Sequence, residues 1–78
     1  MKQISNSYYV IVYDNGMYQG SVTEYDPIRM ESYTHLDFVE FGVENMIKCK
    51  SLEEAKRRLV RNHSHIELVT EHVSIEKV

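Results

Sequence analysis

The chain has 78 residues and a net charge of −3, with six tyrosines, no tryptophan, three glycines, one proline and one cysteine. That length makes one domain, residues 1–78, near the size at which a single core is barely sufficient. So many aromatic and β-branched residues exclude a disordered chain, and a lone cysteine excludes an internal disulfide. The polar start Met1–Asn6 does not resemble a signal peptide, and the apolar run Tyr8–Tyr13 is too short to span a bilayer. A soluble, cytoplasmic protein is expected, with no membrane contact.

Ser7–Tyr13 and Met17–Tyr25 are rich in tyrosine, valine and isoleucine and flank Asp14-Asn15-Gly16. Asn-Gly suits a two-residue type I′ turn, which predicts a β-hairpin pairing Tyr13 with Tyr18, Ile11 with Gly20 and Tyr9 with Val22 on an apolar face. The opposite face then carries Val12 with Gln19, Val10 with Ser21 and Tyr8 with Thr23, and is wetter. Asp26-Pro27 ends the second strand, because proline cannot donate into a ladder. Ile28–Thr34 is polar without period and reads as a loop. Leu36–Phe41 fits either a strand ending near Gly42 or helical spacing through Val43, Met46 and Ile47; the strand is preferred, followed by a turn or short strand at Asn45–Lys50.

Ser51-Leu52-Glu53-Glu54 has the form of a capping box, in which the serine oxygen accepts from the third helical amide and Glu54 reaches back. Leu52, Ala55 and Leu59 line a narrow apolar stripe, and Glu53–Arg57 and Glu54–Arg58 are favourable pairs four apart. The helix is predicted over residues 52–62, with Asn62 as a left-handed stop. His65–Lys77 reads as extended. Ile66 and Leu68 face one way and Val69, Val73 and Ile75 the other, which suggests a bulge near Val69–His72. The fold expected is a small α+β domain: an antiparallel sheet of three to five strands opened by the β-hairpin, with one helix packed on one face. Its core would be Tyr9, Ile11, Tyr13, Tyr18, Val22, Phe38, Leu52, Ala55, Leu59, Ile66 and Leu68.

Three histidines, His63, His65 and His72, lie near the single Cys49. Structural zinc sites carry closely spaced cysteine pairs, and none is present, so no metal or other cofactor is expected. His63 instead suits the end of a helix. Cys49 lies between Lys48 and Lys50, which could lower its pKa, but no loop or orienting partner marks a nucleophile. It reads as an apolar filler. Glu53 and Glu54 are used by the helix, and no glycine-rich phosphate loop exists. The chain is read as non-catalytic.

Charge is unevenly spread. Residues 1–46 hold Asp14, Glu24, Asp26, Glu31, Asp37, Glu40 and Glu44 against Lys2 and Arg29, whereas bases outnumber acids over residues 47–78. Such asymmetry favours oriented docking or self-association. Exposed tyrosines among acids typify a protein-docking surface, so Tyr25, Asp26, Glu31, Tyr33, Asp37 and Glu40 are the candidate protein-binding residues. The alternative is nucleic-acid binding through Lys48, Lys50, Lys56, Arg57, Arg58 and Arg61, with tyrosines stacking on unpaired bases. Overall acidity argues against it.

The succession "YYVIVYDNGMYQG", "IKCKSLEEAKRRL" and "IELVTEHVSIEKV" resembles small α+β proteins of bacteriophages and mobile elements, in which a strand–lysine–Ser-x-Glu-Glu-Ala helix packs across an antiparallel sheet. The resemblance implies an inhibitor or modulator of a host protein, of the anti-CRISPR or host-defence-inhibitor kind, that occupies a surface. It implies no functional residue. The function expected is a protein–protein interaction module with an unidentified protein partner, and the uncovered edge of a short sheet would also accept a second copy as a homodimer.

Overall fold

The computed structural model describes residues 2–75. Four strands, β1 (Lys2–Tyr13), β2 (Tyr18–Asp26), β3 (Glu31–Val39) and β4 (Ser64–Ile75), form one antiparallel sheet in the order β3-β2-β1-β4. One short helix, α1 (Leu52–Arg58), lies between β3 and β4 in sequence. The protein is thus a small α+β fold.

The turn after β1 decides the register. Tyr13 N–H bonds the Met17 carbonyl at 2.8 Å and Gly16 N–H bonds the Tyr13 carbonyl at 2.9 Å, so the connection is Asp14–Gly16 rather than Asn15-Gly16 alone. Gly16, at φ 82°, is left-handed and Asn15 is not, the signature of a type I turn closed by a glycine bulge. The extra residue sets Val12 opposite Tyr18 in place of the expected Tyr13–Tyr18 pair. A slip of one residue turns every side chain of β2 over relative to β1.

Beyond that pair β1 and β2 part, and residues 45–49 fill the gap. Tyr9 and Cys49 exchange two backbone bonds of 2.8 Å, Ser21 N–H bonds Asn45 O at 3.0 Å, and Ile47 N–H bonds Gln19 O at 3.0 Å. The sheet becomes two ribbons: β1–β4, in register from Lys2↔Ile75 to Tyr13↔Ser64, and β2–β3, from Tyr18↔Val39 to Asp26↔Glu31. The radius of gyration is 15.9 Å, where a compact chain of this length would have about 11.5 Å. The ribbons are therefore arms with little layer above or below them.

Both faces of β1 are covered near the junction, which corrects the expected inside and outside. Tyr8, Val10 and Val12, expected on the wetter face, are buried with Val39 and Met46. On the other face Ile11 is buried with Cys49 and Ala55, and Tyr9, Ile47 and Ile66 pack against them. Phe38, Leu52, Leu59 and Leu68, expected inside, are exposed. Gly20 is required where β2 crosses the inserted segment: a Cβ there would collide with both Val39 methyls and lie 3.1 Å from Asn45 O.

Residues 31–34, read as loop, are strand because each pairs with β2; Asp26 Oδ1 accepts from Ile28 N–H at 3.0 Å and closes the turn, and Met30 adopts φ 55°. The helix opens on Ser51, whose Oγ accepts from Glu54 N–H at 3.2 Å, while Glu54 accepts from Lys50 N–H, one residue earlier than the capping box predicts. It ends at Arg58 rather than 62, since Leu59 is extended; Asn62, at φ 68°, is left-handed in the later turn instead. β4 pairs with β1 at every residue from 64 to 75, so the expected bulge is absent from it, and the Glu76–Lys77 part of the expected strand lies outside the described residues.

Candidate protein-docking surface on the β2–β3 arm

Strand alternation sorts the expected binding residues. The β2–β3 register sets Glu24 opposite Tyr33, Val22 opposite His35, Gly20 opposite Asp37 and Asp26 opposite Glu31, so these side chains share one face of the arm. Asp26, Glu31 and Tyr33 are thus brought together, and Asp37 shares their face further along β3. Tyr25, opposite Ser32, is on the reverse face with Leu36 and Phe38, and Glu40 lies past the end of β3. Tyr8, expected on the wetter face, is buried.

Sequence reading passed over Glu24 and His35, which organise the acidic face. The Tyr33 hydroxyl donates to Glu24 Oε2 at 2.7 Å, and His35 Nε2 lies 3.5 Å from Glu24 Oε1. The Tyr33 and His35 rings stack with centroids 5.8 Å apart. His35 Nδ1 lies 3.2 Å from the Leu36 carbonyl, which can only accept, so Nδ1 carries the proton. Tyr33's donation, then His35, holds the Glu24 carboxyl below its ordinary range. The same bond holds the Tyr33 phenol above its own, and the bond to Leu36, with Glu24, holds His35 above its own. The signal for this cluster was the i to j pairing of the strands, which a loop assignment over 28–34 concealed.

Asp26, Arg29, Glu31 and Tyr33 line an open pocket of ≈340 Å³ near the arm's tip, with Arg29 Nε 3.9 Å from Asp26 Oδ2. Ile28 and Met30 at the tip are 93% and 77% exposed, which sets large apolar side chains beside the acids. The arrangement presents carboxylates, one of them facing Arg29, and a held phenol ring beside apolar side chains.

The alternative cations lie before, on and after α1. Lys48 Nζ lies 4.8 Å from the centroid of the Tyr8 ring, and Arg58 Nε lies 3.8 Å from Glu54 Oε1. Lys50, Lys56, Arg57 and Arg61 are exposed on or beside α1.

The histidines and cysteine separate. His63 is in the turn, 3.7 Å from Asp14; His65 meets Glu67 at 3.3 Å; His72 shares a 3.0 Å bond with Ser5. Cys49 is buried on the opposite side of β1 from β4, paired with Tyr9. Burial pushes its thiol up, as suits an apolar filler, and the neighbouring lysines do not lower it. Among the described residues no group of three or more His, Cys, Asp or Glu is placed to hold a metal, and no helix is long and apolar enough to cross a membrane. No family model, curated protein or solved structure matches the chain.

Proposed function

We propose that the protein is a non-catalytic docking module whose β2–β3 arm receives a basic segment of another protein. The observation behind this reading is the acidic face in which Glu24 fixes Tyr33 beside Asp26 and Glu31, on an arm bare of any second layer. A phenol held by a carboxylate is pre-ordered, so less entropy is lost when a partner lands on it. A cytoplasmic inhibitor that occupies a host protein's surface is the form this takes if the phage-like resemblance holds, and that resemblance is its support.

Phosphate binding by residues 48–61 has less behind it. Lys48 and Arg58 already face Tyr8 and Glu54, and net charge is −3. The test is affinity capture with wild type and an Asp26→Asn/Glu31→Gln/Tyr33→Phe variant as parallel baits. Proteins held by wild type and released by the variant are expected; identical captures overturn the reading. A mobility-shift titration at two salt concentrations separates the nucleic-acid alternative, which requires binding that weakens steeply with salt.

A further inference from the structure

The two edges of the sheet are finished differently. Antiparallel neighbours alternate between residues that exchange backbone bonds and residues whose N–H and C=O point away. Ser21 and Gln19 bond the inserted segment, so the even-numbered residues of β3 face the free edge. Two of those edge groups are capped locally: Asp37 Oδ1 accepts from Phe38 N–H at 2.7 Å, and His35 Nδ1 donates to the Leu36 carbonyl. Glu31 and Asp37 on this strand repel an approaching acidic chain. The β3 edge is blunted in the way natural sheets protect themselves.

The β4 edge carries the acids Glu67 and Glu71 but lacks the local caps found on β3. Tyr9 turns its backbone groups to Cys49, so Leu68 opposite it turns its own outward, and with it Ile66, Thr70, His72 and Ser74. Among the described residues no side chain caps any of these edge groups. Ser64–Ile75 holds no proline, glycine, lysine or arginine and no bulge, and it is rich in β-branched residues. Leu68 on one face is 59% exposed, and Val73 and Ile75 on the other are 48% and 47% exposed.

The amount of bare surface is sufficient for a second copy. The chain exposes 6327 Å²; a compact monomer of its 9.2 kDa mass would expose about 4,900 Å², a surplus of roughly 1,400 Å². A stable dimer buries about 800 Å² per partner and an obligate homodimer more. The surplus is spread over both arms and exceeds what one partner of a stable dimer buries.

We infer that β4 is a dimerisation edge, where a second copy of this chain adds its own β4 antiparallel across a two-fold axis and the two sheets become one. An axis at Val69 would set Glu67 against the second copy's Glu71, and like charges directly opposite are destabilising. The axis falls at Leu68, which sets His65 opposite Glu71, or at Thr70, which sets Glu67 opposite Val73.

Sedimentation equilibrium of the full chain tests this together with amide hydrogen exchange. Twice the 9.2 kDa mass is expected, with the outward amides of Leu68 and Thr70 protected. Thr70→Pro removes an outward N–H while keeping the ladder to β1, and it should return the mass to that of one chain. A wild-type monomer at every concentration overturns the inference, as does fast exchange of those two amides, or a folded Thr70→Pro variant that stays dimeric. Protection at Ser32, Thr34 and Leu36 in place of Leu68 and Thr70 overturns it too, in favour of pairing through β3. Should Thr70→Pro fail to fold, exchange at Leu68 and Thr70 in the wild type decides.

Discussion

The Gln19 side chain, 1% exposed, donates through Nε2 to the main-chain carbonyl of Arg58 at 3.1 Å, and the same nitrogen donates to the Tyr13 hydroxyl at 2.9 Å. One amide thus joins the start of β2 to the last residue of α1 and to the end of β1. Its Oε1 is buried without a partner. Gln19→Glu replaces the donor with a second acceptor facing a carbonyl. Chemical denaturation at neutral pH should show a loss of about 3 kcal/mol or more, the cost of an uncompensated buried charge. Lowering the pH should restore part of it as the carboxyl takes up a proton.

Gly20→Ala should destabilise by about 2 kcal/mol, in the range for overpacking, because the new methyl strikes Val39. The double variant with Val39→Ala removes the struck methyls. If the clash is the cause, Val39→Ala should cost less in the Gly20→Ala background than in the wild type, as a double-mutant cycle measures.

The buried Tyr8 hydroxyl donates to Glu71 Oε1 at 2.7 Å. That bond, with burial and the carboxylate's charge, pushes the phenol from 10.0 up to about 12. A raised folded-state pKa contributes stability that is complete below the unfolded value and disappears as pH rises through the folded one. Unfolding free energy should therefore fall between pH 10 and about 12. Tyr8→Phe should lose this step and cost about 1–2 kcal/mol at neutral pH, because Glu71 loses its donor.

On the docking arm, His35 should titrate above its ordinary value and Glu24 below its own. Tyr33→Phe removes the largest influence on Glu24, so the carboxyl should move back up by carbon-13 NMR titration. An unchanged Glu24 would show that the phenol is not held in solution.

Ser51→Ala should cost about 1 kcal/mol, the usual loss of an N-cap oxygen. A seven-residue helix has few other bonds to spend. Loss of helical circular dichroism before the sheet unfolds would locate the effect at α1.

The acidic, tyrosine-bearing segment was legible in the chain, and so were Asp26, Glu31, Tyr33 and Asp37 as its members. That they share a face while Tyr25 does not was not legible, because residues 31–34 have no strand pattern of their own and are extended only through their bonds to β2. The Glu24–Tyr33–His35 cluster has the same origin.

Local chemistry carried what was local: the glycine that must turn left-handed at 16, the serine that caps a helix, the proline that stops a strand, and the uneven charge. Tertiary structure decided the rest. Asp-Asn-Gly serves a two-residue or a three-residue turn equally well, and β1 is apolar on both faces, so nothing within it selects a register. Only the insertion of residues 45–49 between β1 and β2 separates the ribbons and buries Val10 and Ile11 on opposite sides of one strand, and only the strand order leaves β4 as an open edge.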